Sequence, residues 1–156
     1  MKPICRVFVS VISLVAVAAL AAHALSGHGS FSGRAIITPQ TNGIVTVEVA
    51  GSGSVSHLGM SSLQLRSVVD LTGPTPAPVL STIGVVTTAH RETISFTLHW
   101  SVMQEASPGV FQIEGPFTVT GGTGSFSGAT GSGTWQGTVD LNRLTSSADF
   151  SATISR

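Results

Sequence analysis

The sequence predicts an all-β chain, an antiparallel β-barrel of about eight strands, on three observations. Apolar residues alternate with polar ones at period two throughout the chain after residue 25, where a helical period of 3.6 is hard to find. Clusters of Gly, Pro, Asn and Ser interrupt these runs at regular spacing, with no crossover helix between them. The runs are rich in Val, Ile, Thr and Phe, the residues that strands favour. A barrel is preferred to an open sandwich because closure removes edge strands, which otherwise invite aggregation.

The first element is not part of that fold. Lys2 and Arg6 precede an uncharged stretch from Val7 to Ala22, and Ala22-His23-Ala24 supplies an A-x-A cleavage site. Residues 1–24 are therefore expected to be a signal peptide helix removed on export, leaving residues 25–156 as one barrel domain, secreted or periplasmic. The apolar stretch of 16 residues is shorter than the roughly 20 that a spanning helix needs, so no membrane partner is expected after cleavage. The only thiol, Cys5, leaves with the leader.

The remaining 132 residues keep all 18 Gly, have no Lys and no Cys, and carry five Arg against seven acids. One domain of this size can bury a core without disulfides. Nucleic acid is excluded as a partner because no basic patch balances phosphate, and the apolar content is the opposite of a disordered composition. Schiff-base lysine and cysteine-nucleophile chemistry are excluded by absence.

Along the chain, Gly27-His28-Gly29-Ser30-Phe31-Ser32-Gly33 repeats as Gly122-Thr123-Gly124-Ser125-Phe126-Ser127-Gly128 with one change, and reads as a reused device of glycine turn leading into a strand. Asn42-Gly43 marks a hairpin into the strand of Val45, Val47 and Val49. Gly51-Ser52-Gly53 reads as a turn, followed by a strand over Ser62 to Leu71 that sets Leu63, Leu65, Val69 and Leu71 against Gln64, Arg66 and Asp70. Arg66 and Asp70 share a face but lie about 13 Å apart, too far to pair. After the Pro-rich Thr72 to Pro78, the clearest strand is Glu92 to Ser101, with Ile94, Phe96, Leu98 and Trp100 on one face. Phe111 and Ile113 oppose Gln112 and Glu114 beyond the turn Ser107-Pro108-Gly109. Trp135, Val139 and Leu141, then Phe150, Ala152 and Ile154, complete the alternating runs. Gly115, Gly128 and Gly137 are expected to make bulges and bends inside strands.

Site chemistry is sparse. The Gly-x-Gly spacings lack the following helix and the Lys of a phosphate loop, so no nucleotide is expected. No Gly-x-Ser-x-Gly elbow occurs. His57, His90 and His99 are the only candidates for a metal site built across strands, but no paired-histidine spacing exists, and neither metal nor cofactor is expected. Glu48 and Glu114 sit in apolar strands; the alternation places both on the solvent face, while a lumen position would raise their pKa values for acid or base work. Trp100, Trp135 and Phe96 are candidates for lining a ligand cavity, against the plainer reading that they pack the core.

The run Gly121-Gly122-Thr123-Gly124-Ser125-Phe126-Ser127-Gly128-Ala129-Thr130-Gly131-Ser132-Gly133 resembles the G-G-T-G-x-F-x-G-A-x-G signature of allene oxide cyclase-like and dirigent-like barrels. It is similar above all to secreted bacterial proteins that carry GGTGRFAGATGSG and, upstream, a G-x-A-T-H-L-G segment matched here by Gly53-Ser54-Val55-Ser56-His57-Leu58-Gly59. The resemblance implies an antiparallel barrel, hydrophobic small molecules as ligands, and homo-oligomers. It does not carry a catalytic residue: Ser125 stands where Arg is common, Ala129-Thr130-Gly131 replaces Ala-Arg-Gly, and Tyr is absent. The sequence thus points to a secreted non-enzymatic barrel that binds a small hydrophobic ligand or acts as an interaction module. The alternative is a small cyclase or isomerase with Glu48 or Glu114 and His57 in the lumen, and a third reading is a subunit of a surface assembly.

Overall fold

A computed structural model describes residues 24–73, 77–99 and 102–156, so residues 1–23 of the expected signal segment and Trp100 lie outside the described residues, while Ala24 opens the first strand. Among the described residues nine antiparallel strands follow one another: β1 (Ala24–Pro39), β2 (Ile44–Val55), β3 (Gly59–Asp70), β4 (Ala77–Thr88), β5 (Thr93–Leu98), β6 (Val102–Ser107), β7 (Val110–Gly122), β8 (Thr130–Asp140) and β9 (Thr145–Ser155). The hydrogen-bonded order β3-β2-β1-β9-β8-β7-β5-β4 is closed by the pairing of β3 with β4. β5 and β6 lie end to end between β4 and β7, so nine strands make eight staves of one closed barrel.

The alternation read from the sequence becomes a division between lumen and wall. Val47, Leu63, Val69, Ile94, Phe96, Leu98, Ile113, Trp135, Val139 and Ile154 are buried inside, and their strand neighbours face out. The buried polar side chains among the described residues are all Ser or Thr, and two of them, Thr82 and Ser67, bond to each other at 2.9 Å in the lumen. Thr46 points outward yet is buried, hydrogen-bonded to the Gln40 side chain. The Asn42-Gly43 signal is a hairpin as expected: both residues take left-handed φ values, 59° and 73°, in a one-turn 3₁₀ segment joining β1 to β2.

Four expectations are corrected. The first glycine heptapeptide, Gly27 to Gly33, makes no turn: it runs wholly within β1, hydrogen-bonded to β2 on one side and β9 on the other. Gly51-Ser52-Gly53 also stays in strand, in the middle of β2. Gly128 lies in the β7–β8 loop with φ 72°, and the register shifts fall at Val68/Val69, Ser95/Phe96 and Glu105/Ser107 instead of at Gly115 or Gly137. Leu71 lies just past the end of β3 and is exposed.

Five aromatic rings occupy the middle of the lumen, and each has a glycine directly opposite on a neighbouring stave. The pairs are Phe31 with Gly53, Phe96 with Gly84, Phe117 with Gly133, Trp135 with Gly115, and Phe150 with Gly29. A Cβ at Gly84 would lie 2.1 Å from the Phe96 ring, and one at Gly29 would lie 2.6 Å from the Phe150 ring. The Phe96, Phe117 and Phe150 rings use the volume that side chains at Gly84, Gly133 and Gly29 would take, whereas a Cβ at Gly53 would strike the Ser30 carbonyl of β1. Because Phe96 is held at 5.3 Å from Phe117 and 5.8 Å from Trp135, it cannot step aside. Gly84→Ala is expected to lower unfolding free energy by about 3 kcal/mol in urea denaturation, whereas Gly73→Ala, with open space around its Cβ, is expected to shift the midpoint little.

Candidate functional site

The two ends of the barrel differ. One carries the turns β2–β3, β4–β5 and β7–β8 together with Ala24 and Arg156, and the other carries β1–β2, β3–β4, β6–β7 and β8–β9. The β7–β8 loop at the first end is the glycine signature. Gly121, Gly124 and Gly128 take φ values of 137°, 63° and 72°, which side chains rarely adopt. Gly122 lets the loop pass against the Thr93 carbonyl. This path returns Phe126 into the core at 1% exposure, with Ala129 beside it.

Glu92, in the β4–β5 turn, holds the loop closed. Its carboxylate accepts the Ser125 amide at 2.8 Å and the Ser125 hydroxyl at 2.9 Å. The Arg156 guanidinium lies 5.2 Å above the Phe126 ring centre. The Ser125 amide foremost, then its hydroxyl, hold the Glu92 carboxyl below the ordinary carboxylate range against some desolvation, with the charges of His90 and Arg156 helping. Asp70 is lowered in the same direction by the Thr72 hydroxyl and amide, which it accepts at 2.6 Å and 2.8 Å.

Within the lumen the aromatic layer is continuous. Phe31 stacks on Phe150 at 5.8 Å, and Phe150 stacks on Trp135 and meets Phe117 edge-on, each at 6.3 Å. On either side of this layer remains a small void. The one toward the signature loop measures about 40 Å³, is lined by Leu25, Val55, Leu58, Phe96, Trp135 and Ile154 among others, and is almost wholly apolar. The one toward the opposite end measures about 30 Å³ and includes Ser67 and Thr82 in its lining. Both are far below the roughly 150 Å³ that admits a benzene ring.

The sequence candidates therefore separate. Phe96 and Trp135 meet in the lumen, line the larger void and also form the core. Glu48 points outward from β2, its side chain 54% exposed and its carboxylate 3.8 Å from Arg66 on β3. Glu114 points outward from β7 into a shallow surface hollow with Gln136 and Asp149. His57 occupies the β2–β3 turn with φ 66°, exposed. Glu48, Glu114 and His57 thus do not converge, and no carboxylate faces the lumen among the described residues. His99 bonds the Thr118 hydroxyl at 3.0 Å on the outer wall. Among the described residues no group of three metal-ligating side chains occurs.

Sequence reading missed Glu92, whose partner lies 33 residues away and whose only local signal is a charge in a turn. It also missed the outer wall of β1 to β4, where Ile36, Leu80 and Ile83 are more than half exposed.

Phe126→Ala is expected to destabilise the barrel by about 4 kcal/mol, read by calorimetry or urea titration. The folded pKa of Glu92 is depressed, so its contribution is present above the unfolded pKa and is lost as pH falls through the folded value. Stability measured from neutral pH into the acid range is expected to fall less steeply below about pH 4 in Glu92→Gln than in the unsubstituted chain; parallel acid limbs would remove Glu92 as the latch. Comparison with family models, curated proteins and solved structures finds no match to this chain.

Proposed function

We propose that the chain is a secreted or periplasmic, non-enzymatic β-barrel that works as an interaction module through its outer wall. The observation that carries this reading is the contrast between lumen and wall. The lumen holds no ionisable side chain among the described residues, and its two voids measure about 40 Å³ and 30 Å³. Acid–base chemistry has no group to use there, and a drug-sized ligand has no room. The wall is divided instead. The outward positions of β9, β8 and β7 are mostly Ser, Thr, Gln and acids, while those of β1 to β4 include exposed Ile36, Leu80 and Ile83.

Export is supported by the basic, apolar and A-x-A order of residues 1–24. Kinship with allene oxide cyclase-like and dirigent-like barrels is part of the reading. Its support is the Gly121–Gly133 run, whose glycines shape the loop that buries Phe126. A second reading, a small hydrophobic ligand held in the lumen, is favoured by one feature, the apolar lining of the void beside Phe96 and Trp135. Such a ligand would have to spread that void several-fold.

Native mass spectrometry of the protein expressed with its leader tests these readings together. The expected result is a chain of the 132 residues from Leu25 onward with no retained apolar molecule. A stoichiometric lipid-like adduct would transfer the function to the lumen, and a mass that still contained residues 1–24 would overturn export.

A further inference from the structure

The glycine-signature loop is fixed at its root and held at its tip by side chains alone. At the root, the Thr123 amide donates to the Thr93 carbonyl at 3.0 Å, and the Thr123 hydroxyl accepts the Thr93 amide at 2.9 Å. The segment that follows, Gly124 to Ser127, is one turn closed on itself by the Ser127 amide on the Gly124 carbonyl at 3.1 Å. Outside the loop, the hydrogen-bond partners of this turn among the described residues are Glu92 and Arg156. Glu92 accepts the Ser125 amide and hydroxyl, while Arg156 donates to the same hydroxyl at 3.4 Å and lies over the Phe126 ring. Glycine stands at both ends of the turn for different reasons. A Cβ at Gly124 would strike the Glu92 carboxylate, whereas one at Gly128 would meet nothing within 4 Å, so at Gly128 only the left-handed backbone calls for glycine.

Closure of this end leaves one polar group unsatisfied. Thr88, the last residue of β4, faces inward and is buried, and among the described residues its hydroxyl is the one buried side-chain polar atom without a hydrogen-bond partner. It belongs to the turn that carries Glu92, since the Thr88 amide donates to the Glu92 carbonyl at 2.9 Å. A buried hydroxyl without a partner penalises the closed state, and water reaching it removes the penalty. We propose that Gly124–Ser127 is a lid on the barrel end, hinged at its two glycines, with the Glu92 carboxylate as its catch and Arg156 as a second, weaker hold. Opening lifts Phe126 out of the lumen, uncovers Ala129, whose amide bonds the Phe126 carbonyl at 3.0 Å, and lets water in to Thr88. The paired staves take no part in the movement, so the lid opens far more often than the barrel unfolds. The device sits at the end of the barrel and stands whether or not the outer wall is a working surface.

Two alanines buried to the same degree, each 1% exposed, separate lid from barrel: Ala129 under the lid and Ala35 on the inner face of β1. In a Cys5→Ser chain, Ala129→Cys or Ala35→Cys supplies the single thiol. Labelling of the folded chain with a maleimide, followed by intact mass, is expected to be at least about tenfold faster in Ala129→Cys than in Ala35→Cys. Low urea should leave the first rate nearly flat and raise the second steeply, because a local opening exposes little surface. Glu92→Ala should speed labelling at position 129 by about tenfold, through loss of two bonds to a carboxylate. Arg156→Gln, which removes no bond between staves, should speed it by about threefold and serves if Glu92→Ala does not fold. Thr88→Val, which removes the unpaired hydroxyl and keeps the shape, should slow it by about threefold. Hydrogen exchange of the Ala129 amide in the unsubstituted chain, with the same weak urea dependence, checks the opening without a cysteine. Labelling at 129 that is no faster than at 35, or that climbs with urea in parallel, overturns the lid. A rate at 129 that ignores the substitutions at Glu92 and Arg156, or one that Thr88→Val does not slow, overturns it as well.

Discussion

The barrel depends on fitting five aromatic rings into the lumen of an eight-stave cylinder, and glycine makes the fit possible. A small barrel has an interior just wide enough to be filled by side chains. Rings from Phe31, Phe96, Phe117, Trp135 and Phe150 cannot meet there if every facing position also carries a Cβ. A glycine lies across from each ring, and at Phe96, Phe117 and Phe150 it leaves the space that the ring takes. The ring also covers backbone that glycine alone would leave bare, as aromatic partners of sheet glycines do. Glycine in a strand is locally unfavourable through its unfolded-state freedom. Here each residue offsets the other's defect. A good part of the glycine in this chain is therefore the counterpart of its aromatic content rather than turn material.

This pairing explains why some strands were legible in the sequence and others were not. β3, β5 and β9 place apolar residues inward and polar ones outward, and β8 does so at Trp135 and Val139, so period two is visible in their letters alone. β1 puts Gly27, Gly29 and Gly33 inward with Phe31 and Ala35, and its glycine-rich face resembles a loop. β4 is hidden for a different reason. The register shift near Ser81 reverses the phase, and beyond it Thr82 and Gly84 point inward while Ile83 and Val85 point outward. A strand with its hydropathy inverted, on the inner side to admit Phe96 and on the outer side to form an apolar wall, carries no period-two signal for a core.

The repeated heptapeptide shows how far local sequence reaches. Gly29-Ser30-Phe31-Ser32-Gly33 is extended between two staves, and Gly124-Ser125-Phe126-Ser127-Gly128 is a 3₁₀ loop. Both copies bury their Phe, at 4% and 1% exposure, so the hydrophobic instruction is the same. The backbone outcome differs because the first copy continues into Arg34 to Ile37, which prolong its pairing, while the second follows Gly121 and Gly122 and meets Glu92 across the barrel end. Glycine permits either path, and long-range partners choose. The same limit applied to the site: alternation was enough to put Phe96 and Trp135 inside and Glu48 and Glu114 outside. The Glu92 latch and the cross-strand order Ile36, Glu48, Arg66, Ile83 on the outer wall exist only once register is known.

A filled lumen has a consequence for where such a barrel can be specific. In a hollow barrel the inward residues are free to vary with the ligand while the wall stays generic. Here the inward positions are committed to packing, since each ring has a matched glycine and a change on one stave has to be answered on the next. The outward positions carry no such obligation, because none of them has to fit a closed interior. Variation that leaves the fold intact is therefore confined to the wall, and there the chain departs from a uniform polar surface. Hydroxyl-rich positions such as Ser132, Thr134, Ser147 and Ser151 keep one half hydrated. On the other half, two exposed isoleucines bracket an acid and a base in register. Isolated exposed apolar residues need no explanation, but aligned ones beside ordered charges cost solubility without contributing to the core. The interaction surface proposed for this wall would account for their coherence.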